Sequence, residues 1–335
     1  MSAIGTPRRI SPLRRIHRHE WSPVDRMVVI VLLAIVLGCL FLVTYSLALG
    51  DPVPRRIDAA LVGDPAAQPR AVDAVEDVAD GKLDFRRYAS VPAALHAIDE
   101  QRVYAALDLT ATRPTLYVAS AAGASVARVL ERISSVDPAV RVVDTHPLQA
   151  RDPNGLDLFY RMLVATIIGF ITVFQVLAQA GRLARRHHVA FVVGLAVAAS
   201  VALTLVGGVL LHASATSDLE QWGILALHIL AVASFTSLMA VLIGRWAIVP
   251  TWLFFVILGN TSSGGAVSPP LLPAPFAFIS QWLPSGATVT ALRDAVYFRG
   301  DQHVRPIAVL AVWALALFVV WLVVARRRET SSAAA

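Results

Sequence analysis

The stretch MVVIVLLAIVLGCLFLVTYSLAL, residues 27–49, runs for more than twenty residues without one charged side chain. About 20 mainly apolar residues in a helix are enough to cross the hydrocarbon core of a bilayer. The run is also longer than the roughly 7–15 apolar residues of a signal peptide, and Ala48-Leu49-Gly50 resembles a cleavage site only weakly. It therefore predicts an uncleaved membrane anchor.

The composition of the whole chain agrees with a membrane protein. Apolar residues make up 56% of the 335 residues and charged residues only 16%, against about 25% in an ordinary soluble domain. This excludes a soluble enzyme and a disordered chain. The formal charge of +6 comes from arginines beside apolar runs, where membrane topology explains them better than nucleic acid does. We expect membrane lipid, and no nucleic acid, among the partners.

Four further apolar runs are long enough to span a bilayer: Phe159–Ala180, Val189–Leu211, Trp222–Ile243 and Pro306–Val324. Another run, Ala247–Leu258, would be only about 18 Å long as a helix and cannot cross a core of about 30 Å alone. The predicted fold is an α-helical polytopic membrane protein with six spans, of which the fifth is broken and re-entrant.

The arginines predict the orientation, because cytoplasmic loops are enriched in arginine and lysine. They cluster in the tail 1–26, after the second and fourth spans, and at residues 326–328. Six crossings place all of these clusters inside and residues 50–155 outside. We expect a multi-pass protein of the plasma membrane with both termini cytoplasmic. Residues 10–26 form either an interfacial amphipathic helix or a disordered basic tail.

Residues 50–155 alternate short apolar runs with helix-like stretches, which predicts a small extracytoplasmic α/β domain. The expected strands are 57–62, 85–89, 103–109, 115–120 and 140–143. No catalytic residues, cofactor or metal site are expected. The adjacent pair Asp99-Glu100 points in two directions on a helix, and Cys39 is the only cysteine. No phosphate-binding G-x-x-x-x-G-K-[ST] motif occurs, so the chain is not expected to be an ATPase.

The fifth span is interrupted by glycine and proline. Ala247–Leu258 leads into Gly259-Asn260-Thr261-Ser262-Ser263-Gly264-Gly265, four prolines follow up to residue 275, and a second apolar run ends at Pro284. Such backbone is tolerated at membrane depth only inside protein or beside a water-filled cavity. We expect residues 156–325 to form a bundle of five spans, in which residues 259–298 are a re-entrant segment. Residues 326–335 are expected to be a cytoplasmic tail. A plain extracellular loop capping the bundle is the alternative.

The string GNTSSGGAVSPPLLPAPFAFISQWLPSGATVTALRDAVYF, residues 259–298, resembles the end of type-2 ATP-binding-cassette (ABC) transporter permeases, in the branch related to the phage infection protein. The matching elements are Ser262-Ser263-Gly264, Leu272-Pro273, Trp282-Leu283-Pro284 and Leu292-Arg293. The resemblance implies short re-entrant outer helices and a homodimer or heterodimer of permeases. It also implies a separate ATPase subunit, contacted by the loop between the second and third spans.

The candidate site residues follow from the broken span and the resemblance. The pathway or re-entrant candidates are Gly259, Asn260, Ser262, Ser263, Gly264, Gly265, Pro273, Pro284 and Arg293. Gln175 and Gln179, four apart on one helix face, are candidates to line a pore, with hydrogen bonding between helices as the alternative. The candidate ATPase contacts are Arg182, Arg185 and Arg186.

Other polar residues in the spans have simpler interpretations. Arg161 follows Asp157 by four residues, which predicts a local ion pair or an arginine that extends to the interface. His228 is a lone histidine without an intramembrane carboxylate, which argues against a proton-driven transporter.

The sequence thus predicts a permease subunit of an ABC exporter that moves a hydrophobic or amphipathic substrate outward. A non-transporting membrane scaffold or receptor, whose external domain binds a partner or ligand, is the alternative. A membrane-embedded enzyme acting on lipid is weaker, because the spans contain no cluster of carboxylates.

Overall fold

The structure is a computed structural model and describes residues 22–180, 184–210 and 218–333. The chain divides into two units, residues 1–40 and 41–335, and helix α1 (Pro23–Leu49) runs from the first into the second. Ser22 and Asp25 cap its start reciprocally, with backbone-to-side-chain distances of 2.8 and 3.1 Å. The helix begins four residues before the predicted span because this cap and Pro23 set its first turn. Most of the predicted amphipathic segment lies outside the described residues.

Residues 57–144 form a mixed α/β sheet. In chain order its elements are β1 Ile57–Val62, α2 Pro69–Val78, β2 Leu83–Tyr88, α3 Val91–Asp99, β3 Ala105–Asp108, β4 Thr115–Val118, α4 Ala124–Glu131, α5 Ile133–Val136 and β5 Arg141–Asp144. In the sheet the strands lie in the order β2-β1-β3-β4-β5. All neighbouring strands are parallel except β3 and β4, which are antiparallel. The predicted strands agree with these to within a few residues.

Both faces of the sheet are covered, as the alternation along β1 requires. Ile57 and Leu61 pack into one core, which contains Val75 of α2 and Leu130 of α4. Ala60 and Val62 point into the opposite core with Ile98 of α3. Sheets with parallel strands are usually covered on both faces in this way.

Within the described residues, five helical segments are long and apolar enough to cross a membrane, α1 among them. Four others form the bundle: α6 Asp157–Ala180, α7 Arg185–Leu205, α8 Asp218–Ile243 and α12 Val304–Ala333. These agree with the predicted spans to within a few residues at most ends. Helix α12 continues without interruption past Arg326–Arg328 to Ala333, so the predicted tail is mostly an extension of the last helix.

The helical run after α8 reverses direction at Gly244, whose φ of +64° lies in the left-handed region. The rings of Phe235 and Phe254 stack with centroids 5.4 Å apart, whereas nineteen residues of one straight helix would separate them by about 28 Å. The segment after this reversal, called the return arm below, comprises α9 (Ile248–Thr251) and the π-helical turns Trp252–Gly259. It ends beside the start of α6, where Gly265 faces Phe159. The broken segment therefore runs back along the bundle from one end to the other.

A helical hairpin follows, made of α10 (Ala274–Ser280) and α11 (Pro284–Tyr297). Its turn lies beside α12, since Trp313 Nε1 donates to the carbonyl oxygen of Trp282 at 2.8 Å. Trp313 is nine residues into α12, or about 13 Å along its axis. The turn of the hairpin therefore lies beside α12 about 13 Å from the start of that helix.

The segment between the return arm and the hairpin belongs to the core of the sheet. Val267, Leu271 and Leu272 pack with the strands, and Ser268 N donates to Ser125 Oγ at 2.8 Å. At the far side of the hairpin, the Phe298 ring stacks on His146. The connecting segment and the end of the hairpin therefore pack against the sheet. The sequence pattern did not reveal this, because the contacts named here join residues more than 140 positions apart.

The described arginine clusters meet at the end of the bundle away from the sheet. Arg185 pairs with Glu329 at 2.5 Å, and Arg328 Nη2 donates to the carbonyl oxygen of Leu242 at 3.1 Å. Helix α6 leaves the sheet at Asp157 and ends at Ala180, close in sequence to this cluster. The bundle therefore has a basic end and a sheet end.

Candidate functional site

The return arm and the hairpin meet at two small residues, Gly259 and Ser285. A Cβ atom at residue 259 would lie 2.6 Å from Ser285 Oγ, so the absence of a side chain at Gly259 gives the Ser285 hydroxyl its position. Pro284 occupies the first position of α11, where a missing N–H costs nothing. Two of the candidate residues predicted from the sequence, Gly259 and Pro284, are thus brought together at the first turn of α11.

Two hydroxyl oxygens at this junction are buried without a hydrogen bond to any described residue. They are Ser262 Oγ and Ser285 Oγ, and both residues are fully buried. Ser262 follows Gly259 by three residues and shares its helix face, and the buried Asn260 amide interacts with the Tyr45 hydroxyl. A buried polar atom that lacks a partner costs about 1–3 kcal/mol, so such a group needs an explanation.

The turn after the arm is held by its own polar atoms. Ser263 Oγ donates to the Asn260 carbonyl oxygen at 2.8 Å and accepts from Gly265 N at 3.3 Å. Gly264 has a φ of +71°, and Arg293 Nη2 donates to its carbonyl oxygen at 3.1 Å. Ser263, Gly264, Gly265 and Arg293 therefore form one cluster at the sheet end, close to but distinct from the junction. Pro273 stands before α10 and starts the hairpin.

Gln175 and Gln179 lie on the same face of α6 as predicted, but both side chains are exposed on the surface of this chain. They do not line an interior path through the single bundle.

The candidate ATPase contacts are only partly described. Arg185 and Arg186 begin α7 at the basic end, and Arg185 is engaged by Glu329. Arg182 lies outside the described residues.

A buried histidine network lies beside the junction. His228 Nε2 is 2.8 Å from Thr166 Oγ1 of α6, and its Nδ1 is 2.8 Å from Thr288 Oγ1 of α11. Each hydroxyl also has a carbonyl oxygen of its own helix within 3.0 Å, that of Met162 or that of Pro284. A neutral imidazole has one N–H, so one of the hydroxyls must donate to the ring. The network joins three helices, and no spacing rule links these positions in the sequence.

Arg161 is also buried, at 5% exposure. It pairs with Asp157 at 2.7 Å and donates to Gln221 Oε1 at 2.8 Å. The predicted local pair is confirmed. The guanidinium lies inside the bundle and does not extend outward, because Gly207, two residues beyond the end of α7, leaves room for it. This network ties α6 to α7 and α8.

No three histidine, cysteine or carboxylate side chains within residues 22–180, 184–210 and 218–333 come close enough to hold a metal ion. Comparison with known proteins gives no match: no family model, no curated protein and no solved structure is similar to this chain.

Proposed function

We propose that this chain is the membrane permease subunit of an ABC-type exporter, which moves a hydrophobic or amphipathic substrate outward. A separate ATPase subunit hydrolyses ATP, and a second permease, identical or different, completes the pathway. The exposed face of α6 with Gln175 and Gln179 is then the candidate surface toward that second permease. The sheet lies outside, and six crossings leave both termini in the cytoplasm.

The observation that carries the proposal is the group of unbonded polar atoms at the junction of the return arm and the hairpin. Ser262 and Ser285 bury two hydroxyl oxygens without a hydrogen bond to any described residue, beside the buried side chain of Asn260. In a bilayer, irregular helices with polar lining are typical of substrate pathways. A plain scaffold has no use for these polar atoms and would be more stable with apolar side chains there.

The two ends of the bundle support the orientation. Arg185 and Arg328 share one end, as the positive-inside rule expects of a cytoplasmic surface. That surface is available to a soluble subunit, while the sheet is at the other end.

The first experiment is purification from the native cell in a mild detergent, followed by mass spectrometry of the proteins that co-purify. A stoichiometric soluble subunit with a phosphate-binding G-x-x-x-x-G-K-[ST] motif is the expected result. A preparation containing this chain alone, or with external proteins only, would contradict the proposal and favour a scaffold or receptor.

The second experiment measures ATP-dependent movement of a fluorescent phospholipid in proteoliposomes that contain the co-purified complex. Ser262→Ala and Ser285→Ala remove hydroxyls that contribute no hydrogen bond within the protein, so the fold should be unaffected. We expect slower movement in both variants. Ser200→Ala is the matched control, because this buried hydroxyl already bonds to the Val197 carbonyl oxygen at 2.9 Å. Unchanged rates in all three variants would argue against a pathway at the junction.

A further inference from the structure

A cavity of about 250 Å³ lies between the sheet and the first turn of α12. Its wall includes Tyr104 next to β3, Thr290 and Arg293 of α11, and His303 and Arg305 at the start of α12. These residues come from three distant parts of the chain. The sequence therefore shows no motif for the cavity.

The wall carries two permanent positive charges. Neither Arg293 nor Arg305 forms an ion pair with a carboxylate among residues 22–180, 184–210 and 218–333. Burial lowers the pKa of the Arg293 guanidinium below its ordinary value, because burial penalises the charged form. A bound anion would offset that penalty.

Asp294 is the nearby carboxylate, but its oxygens are already engaged. Oδ1 accepts from Gln101 Nε2 at 2.7 Å, and Oδ2 accepts from His303 N at 3.2 Å. The same oxygen is 3.5 Å from His303 Nδ1. Asp294 is 2% exposed and is not part of the cavity wall. Its charge partly stabilises the Arg293 guanidinium, but it forms no ion pair with Arg293 or Arg305 among the described residues.

Both arginines retain free donors. A guanidinium has five N–H groups, and the hydrogen bonds in the structure use one group of Arg293, toward Gly264, and one of Arg305, toward Gln281 Oε1 at 2.8 Å. The Arg305 guanidinium also lies 4.7 Å above the Trp282 ring, which fixes its plane. Fixed guanidinium planes suit the oxygens of a phosphate.

The position of Arg305 matches the depth of a lipid headgroup. Residues 306–325 contain no charged side chain and Arg326 follows, so Arg305 and Arg326 bound about 30 Å of apolar helix. Trp282, beneath Arg305, is 49% exposed, and Phe278 of α10 is 65% exposed. Aromatic side chains of this kind are enriched where a membrane meets water.

We propose that this cavity binds the phosphate ester of an anionic ligand, with Arg305 and Arg293 as its phosphate-binding residues. The chemistry is shared by a phospholipid headgroup and a free phosphate ester, and the exposed aromatic residues favour the lipid. Thr290 and Tyr104 are placed to donate hydroxyl hydrogen bonds to the same ligand. The site does not depend on transport, and it is equally available in a scaffold or receptor.

The test uses the full-length protein in a neutral detergent and measures binding by native mass spectrometry and by the shift in thermal unfolding. The probes are phosphatidylglycerol, glycerol phosphate, inorganic phosphate and, as the phosphate-free control, diacylglycerol. We expect phosphatidylglycerol to bind and diacylglycerol to bind at least tenfold more weakly. Binding of glycerol phosphate or inorganic phosphate with equal affinity would support the site with a free anion as its ligand.

Arg305→Gln removes one charge from the cavity and should weaken binding about tenfold, as expected for a charge-assisted hydrogen bond. Arg305→Lys keeps the charge and should weaken it less. Arg299→Gln is the matched control, because Arg299 is exposed and is not part of the cavity wall. Equal binding by the wild type and Arg305→Gln, or equal affinity for diacylglycerol and phosphatidylglycerol, would overturn the proposal. Far-ultraviolet circular dichroism and gel filtration establish that each variant is folded.

Discussion

The guanidinium of Arg161 on α6 occupies the space that a side chain at Gly207 would fill at the end of α7. The same arginine pairs with Asp157 at 2.7 Å and bonds Gln221 at 2.8 Å. Breaking a buried ion pair is costly, because it leaves an uncompensated charge out of water. The absence of a side chain at residue 207 is therefore what allows the charged pair to lie inside the bundle.

Gly207→Ala should displace Arg161 and destabilise the protein by about 1–3 kcal/mol, the usual cost of overpacking. The midpoint of thermal unfolding in detergent should fall by several degrees. Gly194→Ala in the same helix is the control, since a Cβ there meets no atom within 4 Å. Equal midpoints for the two variants would mean that Arg161 does not depend on the space at Gly207.

The hairpin depends on Gly286 in the same manner. A Cβ at this residue would overlap the carbonyl oxygen of Ser280, which is backbone and cannot rotate away. Gly286→Ala should therefore open the turn between α10 and α11, at a cost of at least about 2 kcal/mol. Protease sensitivity of residues 274–297 and the thermal midpoint both measure this.

Gly223→Ala in α8 is the control for that experiment, because nothing lies within 4 Å of its Cβ position. Alanine is the better helix former by about 1 kcal/mol, so this variant should be as stable as the wild type or more so. If residues 274–297 of Gly286→Ala remain as resistant to protease as in the wild type, the turn accommodates the added methyl group without opening.

Cysteine labelling tests the orientation, and Cys39→Ser provides a cysteine-free background. A cysteine replacing Arg299 at the sheet end should react with a membrane-impermeant maleimide in intact cells. A cysteine replacing Thr330 near the end of α12 should react only after permeabilisation. Both positions are exposed. The opposite labelling pattern would place the arginine cluster outside the cell and would contradict the proposed orientation of the protein in the membrane.

Alkaline pH should weaken the fold through Tyr297, the last residue of α11, which packs against the sheet. Burial raises the pKa of its phenol to about 12, against about 10 in an unfolded chain. Since the folded state holds the proton more tightly, this stabilisation is complete below pH 10 and is lost as the pH rises toward 12.

The measurement compares the thermal midpoints of the wild type and Tyr297→Phe in detergent at pH 8 and pH 11. We expect the wild type to lose up to about 1 kcal/mol more than Tyr297→Phe at pH 11, since this pH lies only halfway between the unfolded and folded pKa values of the phenol and solvent reaches part of the ring. Parallel losses in the two proteins would assign the alkaline sensitivity to other groups.

The sequence by itself determined the apolar helices and the elements of the sheet. An uncharged run such as residues 27–49 forms a helix in lipid, because a helix satisfies all of its own backbone hydrogen bonds. The period-2 alternation of Ile57–Val62 predicts a strand between two cores. These are properties of neighbouring residues, so they can be predicted from spacing. The interruption at residues 259–265 could also be predicted from the sequence, because its glycines and serines break the apolar pattern.

Only the tertiary structure decided which polar residues meet. Gln175 and Gln179 share a helix face, but their exposure depends on which faces of α6 the neighbouring helices cover, and both side chains are exposed. His228 bonds Thr166 and Thr288, and Gln101 reaches Asp294 across 193 positions. Arg293 and Arg305 come together with Tyr104 only because the α10–α11 hairpin folds back beneath the sheet. Such sites depend on how helices pack, and packing couples residues that no local pattern relates.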